Sequence, residues 1–90
     1  MVDMYVIMVY DIGEERVSRV LRIGRQYLTW IQNSVFEGEI SEADLMKLKN
    51  LLLEVIDVER DSVTFYLLRT TTYLKKETLG RIKGEPTKFL

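Results

Sequence analysis

Apolar residues occupy both parities of Met4-Tyr-Val-Ile-Met-Val-Tyr10. A run without alternation predicts a strand that lies centrally in a sheet or is covered on both faces. The run then stops on Asp11, and Gly13 permits a turn. Glu14-Glu15 suit the first turn of a helix, where the backbone dipole favours negative charge. Val17, Val20, Leu21, Gly24 and Leu28 recur on one helical face, so a helix is predicted from Glu14 to Tyr27. Gly24 on that face predicts a close approach of helix to sheet.

From Leu28 to Ile40 the chain is rich in β-branched and aromatic residues, with Asn33-Ser34 as a break. Two short strands are expected there, at 29–32 and 34–39. Ser41 is placed to cap a second helix with an acidic first turn, and Leu45, Leu48, Leu52 and Ile56 carry its apolar face over 42–56. Asp57 to Asp61 reads as a charged loop. Val63, Phe65 and Leu67 share one side of a fourth strand, 62–68. Thr70-Thr71-Thr72 breaks the pattern, and a short fifth strand is expected at 73–79.

The order β-α-β-β-α-β predicts an α+β, ferredoxin-like sandwich with a fifth strand appended. Residues 1–79 form its one domain, with a ragged start at Met1 to Asp3. Residues 80–90 read as a C-terminal tail or cross-subunit extension. Both helices cover one face of such a sheet and leave the other bare. A second copy is the simplest cover for a chain of 90 residues, so a homodimer is expected. Its sheets would pack face to face, with the C-terminal strand reaching across. Trp30, Phe65 and Tyr66 are expected in the core or in that interface, and no stacking motif surrounds them.

Composition narrows the chemistry. Cysteine and histidine are both absent. Disulfides, thiolate catalysis, Cys-based zinc sites and the commonest general base drop out together. Catalysis would rest on carboxylates, hydroxyls, Lys, Arg or Tyr. A metal would be a hard cation held by oxygen, magnesium or manganese. No apolar run is long enough to span a bilayer and no signal-like segment opens the chain, so the cytoplasm is expected and a membrane partner is not. A net charge of −1 does not advertise nucleic acid, but a local basic stripe can hold phosphate on an acidic protein.

Two constellations stand out. Asp11 closes the first strand. It is either a turn residue or a metal ligand, and as a ligand it needs a second carboxylate. A two-fold axis near the strand would supply one from the partner copy, and no histidine is then required. Arg16, Arg19, Arg22 and Arg25 recur every third residue and so lie on one half of the predicted helix, away from its apolar face. They are either a solvated face paired with acids or a ladder for phosphates, which the guanidinium fork suits.

Tyr10-Asp11-Ile12 at the end of strand one, followed by Gln32-Asn33-Ser34-Val35-Phe36-Glu37-Gly38, resembles the small CRISPR-associated adaptation family called Cas-two. The resemblance spans nearly the whole chain. It implies a ferredoxin-like homodimer and a magnesium-dependent endonuclease acting on RNA or double-stranded DNA. It also implies a role in spacer acquisition, between copies of a larger CRISPR integrase subunit. Asp11 matches the family's metal ligand, one per subunit, and Tyr10 its neighbouring tyrosine. Arg16 and Arg19 match arginines that support the site or contact phosphate. Ser34 and Phe36 match the Ser-Val-Phe run. Arg22 and Arg25 extend the stripe on the residues alone. Three other readings are a non-catalytic DNA-holding scaffold, a small-molecule regulatory module and an RNA-cleaving toxin of related fold.

Overall fold

A computed structural model describes residues 4–70 and 73–81. The expected ragged start, Thr71 and Thr72 of the expected break, and the tail beyond Arg81 lie outside the described residues, whereas Thr70, expected in that break, is the last residue of a strand. The elements are β1 (Met4–Asp11), α1 (Val17–Tyr27), β2 (Thr29–Gln32), β3 (Val35–Ile40), α2 (Glu42–Val55), β4 (Ser62–Thr70) and β5 (Tyr73–Gly80). The strands form one sheet in the order β2-β3-β1-β4-β5, each antiparallel to its neighbours. This is the expected ferredoxin-like order with a fifth strand added beyond β4. β5, expected to reach a second copy, pairs with β4 of its own chain, from Ser62 opposite Gly80 to Thr70 opposite Tyr73.

The unbroken apolar run of β1 is explained by its central place. Met4, Val6, Met8 and Tyr10 are buried beneath the helices. Phe36 and Ile40 of β3, and Val63, Phe65 and Leu67 of β4, share that layer. Val20 and Leu28 close it from the α1 side, and Leu45, Leu48 and Leu52 from α2. Each fully buried side chain of this size contributes about 1.5–3 kcal/mol.

The opposite parity of the sheet is bare of helix. Tyr5 and Val9 are exposed there, and Ile7, Val35, Tyr66 and Leu68 are half-buried. The register joins them: Val9 lies opposite Val35, Ile7 opposite Tyr66, and Tyr5 opposite Leu68. An apolar patch thus covers the middle of the open face.

Gly24 has the role its place on the apolar face predicts. A Cβ there would come within 2.8 Å of the Phe36 ring, so glycine sets how closely α1 rests on β3. α2 begins as its sequence predicts, with the Ser41 hydroxyl accepting the Asp44 N–H at 3.0 Å. α1 begins later than expected, at Val17 rather than Glu14. Residues 13–16 instead form a turn in which the Gly13 carbonyl accepts the N–H groups of Arg16 and Val17 at 2.9 and 3.1 Å.

Candidate metal and nucleic-acid site

Tyr10 and Asp11 end β1 on opposite faces, as strand geometry requires. Tyr10 is buried with its ring tilted against Phe36, centroids 5.9 Å apart. Its hydroxyl donates to the Asn33 carbonyl at 3.1 Å, and burial pushes its phenol above the ordinary range. Its N–H donates to the Ser34 carbonyl at 3.0 Å. Ser34 therefore braces the end of β1 through its backbone, and Phe36 is core. Asp11 itself is exposed, on the open face, paired through its backbone with Ser62.

The loop that follows Asp11 is anchored by a residue the sequence reading passed over as part of a charged loop. Asp61 has a side chain only 1% exposed. Its carboxylate accepts four N–H groups: Gly13 at 2.9 Å, Asp57 at 2.8 Å, and Arg16 Nε and Nη2 at 2.5 and 2.8 Å. The Arg16 fork, followed by the two backbone donors, holds this carboxyl well below the usual carboxylate range and overcomes the opposing effect of burial. The same hydrogen bonding holds the Arg16 guanidinium above its ordinary value. A Cβ on Gly13 would sit 2.5 Å from Arg16 Nη2, so the clamp also requires glycine there.

One signal in the sequence could have found Asp61. It shares the parity of Val63, Phe65 and Leu67, which all face inward. A charge at an inward position must be paired, and the clamp to Arg16 is that pairing.

Arg16 is thereby separated from the other three arginines. It precedes α1, its side chain is 17% exposed, and its remaining amine reaches Glu15 at 2.9 Å. Arg19, Arg22 and Arg25 remain on the outer face of α1, all exposed. Arg25 lies over the Trp30 ring, 6.0 Å from its centroid. The expected four-residue ladder is thus a ladder of three, plus one arginine held in a structural ion pair.

The donor set for a hard cation is thin within one chain. Among the described residues no three acids gather as a metal-binding group. Asp61 is occupied by four donors and cannot turn toward Asp11. Asp11 alone fits a cation only when a second set of oxygens joins it.

A family model described as CRISPR associated protein Cas2 matches residues 4–76. The chain is 49% identical over 87 residues to the CRISPR-associated endoribonuclease Cas2 of Dictyoglomus turgidum, covering 97% of this chain and all of that protein. It is 51% identical over 82 residues to the protein of the same name from Thermotoga maritima, covering 91% and 94% of the two chains. A solved crystal structure of cas2 matches with a TM-score of 0.72 at 41% identity, over 97% of this chain and 98% of that one. Matched along most of its length by the family model and by relatives of about half-identical sequence, the chain belongs to the CRISPR-associated Cas2 family.

Proposed function

We propose that two copies of this chain act as a nucleic-acid-binding endonuclease of the CRISPR adaptation machinery, with Asp11 of each copy at the hydrolytic centre. The carrying observation is the position of Asp11: an exposed carboxylate at the rim of a bare apolar sheet face. Two such faces packed together cover the patch around Tyr5, Ile7 and Val9, and a two-fold axis near β1 brings the two Asp11 residues together. The open face is also acidic. Glu37 and Glu39 flank Tyr5 and push its phenol above the ordinary value, chiefly through the Glu37 hydrogen bond.

Asp11 from each copy would hold magnesium, or manganese; when bound, the ion activates water and offsets the charge that develops on a phosphodiester. The chain's own residues do the rest. The Asp61–Arg16 clamp fixes the loop after Asp11 and so holds the carboxylate at its rim. Arg19, Arg22 and Arg25 bind phosphate from the helical side. Homologues named as endoribonucleases support hydrolysis of phosphodiesters. We assign the substrate as RNA or duplex DNA, the partner as a CRISPR integrase subunit and the compartment as the cytoplasm. Among the described residues no helix is long and apolar enough to cross a membrane.

The test is cleavage of labelled single-stranded RNA and duplex DNA, with magnesium or a chelator, by wild type and Asp11→Ala. Metal-dependent cleavage that is lost in a folded Asp11→Ala variant is the expected result. Equal cleavage by both proteins removes Asp11 from the reaction. One observation favours a second reading: among the described residues no three acids gather as a metal-binding group, which is also what a scaffold without chemistry would have. Such a protein binds DNA through the arginines and cuts nothing.

A further inference from the structure

Trp30 is the chain's one tryptophan, and it is 44% exposed. The core or a subunit interface is its expected place. It lies outside the core, on β2, the outermost strand on its side of the sheet, where all four residues are exposed. An indole exposed to this extent offers a large, flat aromatic surface to a ligand.

The ring is held in place. Its indole N–H donates to the Asn33 carbonyl at 2.9 Å, the same carbonyl that accepts the Tyr10 hydroxyl. Asn33 is fixed in turn by a left-handed backbone, φ 44°, at the tip of the β2–β3 hairpin. Over the ring, 6.0 Å from its centroid, Arg25 ends the exposed row Arg19, Arg22, Arg25. Successive members of that row rise by about 4.5 Å along the helix. An oriented aromatic surface therefore continues directly into a line of guanidinium groups.

We propose that Trp30, on the ring face opposite Arg25, is a stacking platform for an unpaired base of a single-stranded nucleic acid, whose phosphates lie along Arg22 and Arg19. Every base has a π face, so stacking is tolerant of sequence, and a neighbouring basic row tracks the backbone. A duplex keeps those faces stacked on each other and offers only its phosphates. The platform therefore selects single strands over duplexes at this surface. The inference rests on the reading that the chain binds nucleic acid, and it deepens that reading by naming the strandedness and the residue that reads it.

The solitary tryptophan makes the test direct. Its emission is followed while the full-length protein is titrated, in chelator, with a 20-nucleotide oligothymidylate, an oligouridylate, or a blunt duplex of equal length. Fluorescence anisotropy of end-labelled strands measures binding independently. The single strands are expected to quench the emission by about half or more at saturation, and the duplex by less than about a tenth. Trp30→Ala is expected to weaken single-strand binding by about 5- to 150-fold, the equivalent of roughly 1–3 kcal/mol, and to leave duplex affinity within about twofold. Trp30→Phe keeps a π face and is expected to restore most of that loss.

Binding of the single strands without a change in emission overturns the platform. So does equal quenching by duplex, an unaltered Trp30→Ala affinity, or no binding at all. Emission already blue-shifted and shielded from acrylamide in the free protein would mean that another copy covers the ring, and it also overturns the proposal. Quenching of the same depth in Asp11→Ala supports the platform whether or not that variant cuts, which separates this inference from the nuclease reading.

Discussion

Replacing Asp61 by Asn is nearly isosteric, yet the structure predicts a large loss of stability. The carboxylate accepts four N–H groups and is 1% exposed. An amide can accept with its oxygen only, so at least one donor on the other side then faces an NH2 group. The Arg16 guanidinium also loses its anion. Removing one partner of a buried ion pair costs about 3–5 kcal/mol. A chain of this length has a total stability on the order of 5–13 kcal/mol, so the loss is a large share of it. For a domain this size it lowers the melting temperature by roughly 12 °C or more. Thermal and urea unfolding followed by circular dichroism measure it, with Arg16→Met made alone and in combination. The two changes are expected to be strongly non-additive, because once Asp61 is neutral the loss of Arg16 removes an unpaired charge. An Asp61→Asn midpoint within about 3 °C of wild type, or simple addition in the double variant, would refute the clamp. The pH dependence follows from the same pair. The folded-state pKa of Asp61 is depressed from its ordinary 3.8. Its contribution is therefore fully present above about pH 4 and is lost as pH falls below that toward the folded value. Asp61→Asn should flatten that acid limb.

Three further outcomes test other parts of the structure. Gly24→Ala forces a methyl to within 2.8 Å of the Phe36 ring; thermal unfolding should show a loss of about 1–3 kcal/mol from overpacking, where a helix glycine replaced on an open face would gain stability. Ser41→Ala removes the acceptor for the Asp44 N–H and should cost about 1 kcal/mol, measured by urea titration. Changing Arg19, Arg22 and Arg25 together to Gln should weaken nucleic-acid binding at low salt. The slope of log affinity against log salt should fall by about two to three in a salt-series binding assay; an unchanged slope removes the row from the interface.

What could be read in the sequence was what local chemistry dictates. Ser41 with Asp44 fixed the start of α2, the alternation of Val63, Phe65 and Leu67 fixed the inward side of β4, and Gly24 marked the tight helix–sheet contact. The opposite faces of Tyr10 and Asp11 follow from strand geometry alone. The start of α1 did not follow, because Glu14-Glu15 satisfy the local rule for a first turn. A partner 45 to 48 residues away, Asp61, instead holds Gly13 and Arg16 in a turn. The same long-range contact split the arginine row, which helical spacing alone had made continuous. Trp30 lies outside the core for a related reason. β2 reads as apolar strand, but its position at the edge of the sheet is set by topology and leaves it exposed.

The central claim is that two Asp11 carboxylates act as one site, and mixing copies tests it most directly. Wild type and Asp11→Ala are mixed in equal amounts, allowed to exchange subunits, and assayed for magnesium-dependent cleavage at constant total protein. If both carboxylates of a pair are needed, only wild-type pairs cut, and the rate falls to about a quarter of the unmixed value. A rate near one half would mean that each Asp11 works alone, and no cleavage by wild type itself would contradict the nuclease account outright.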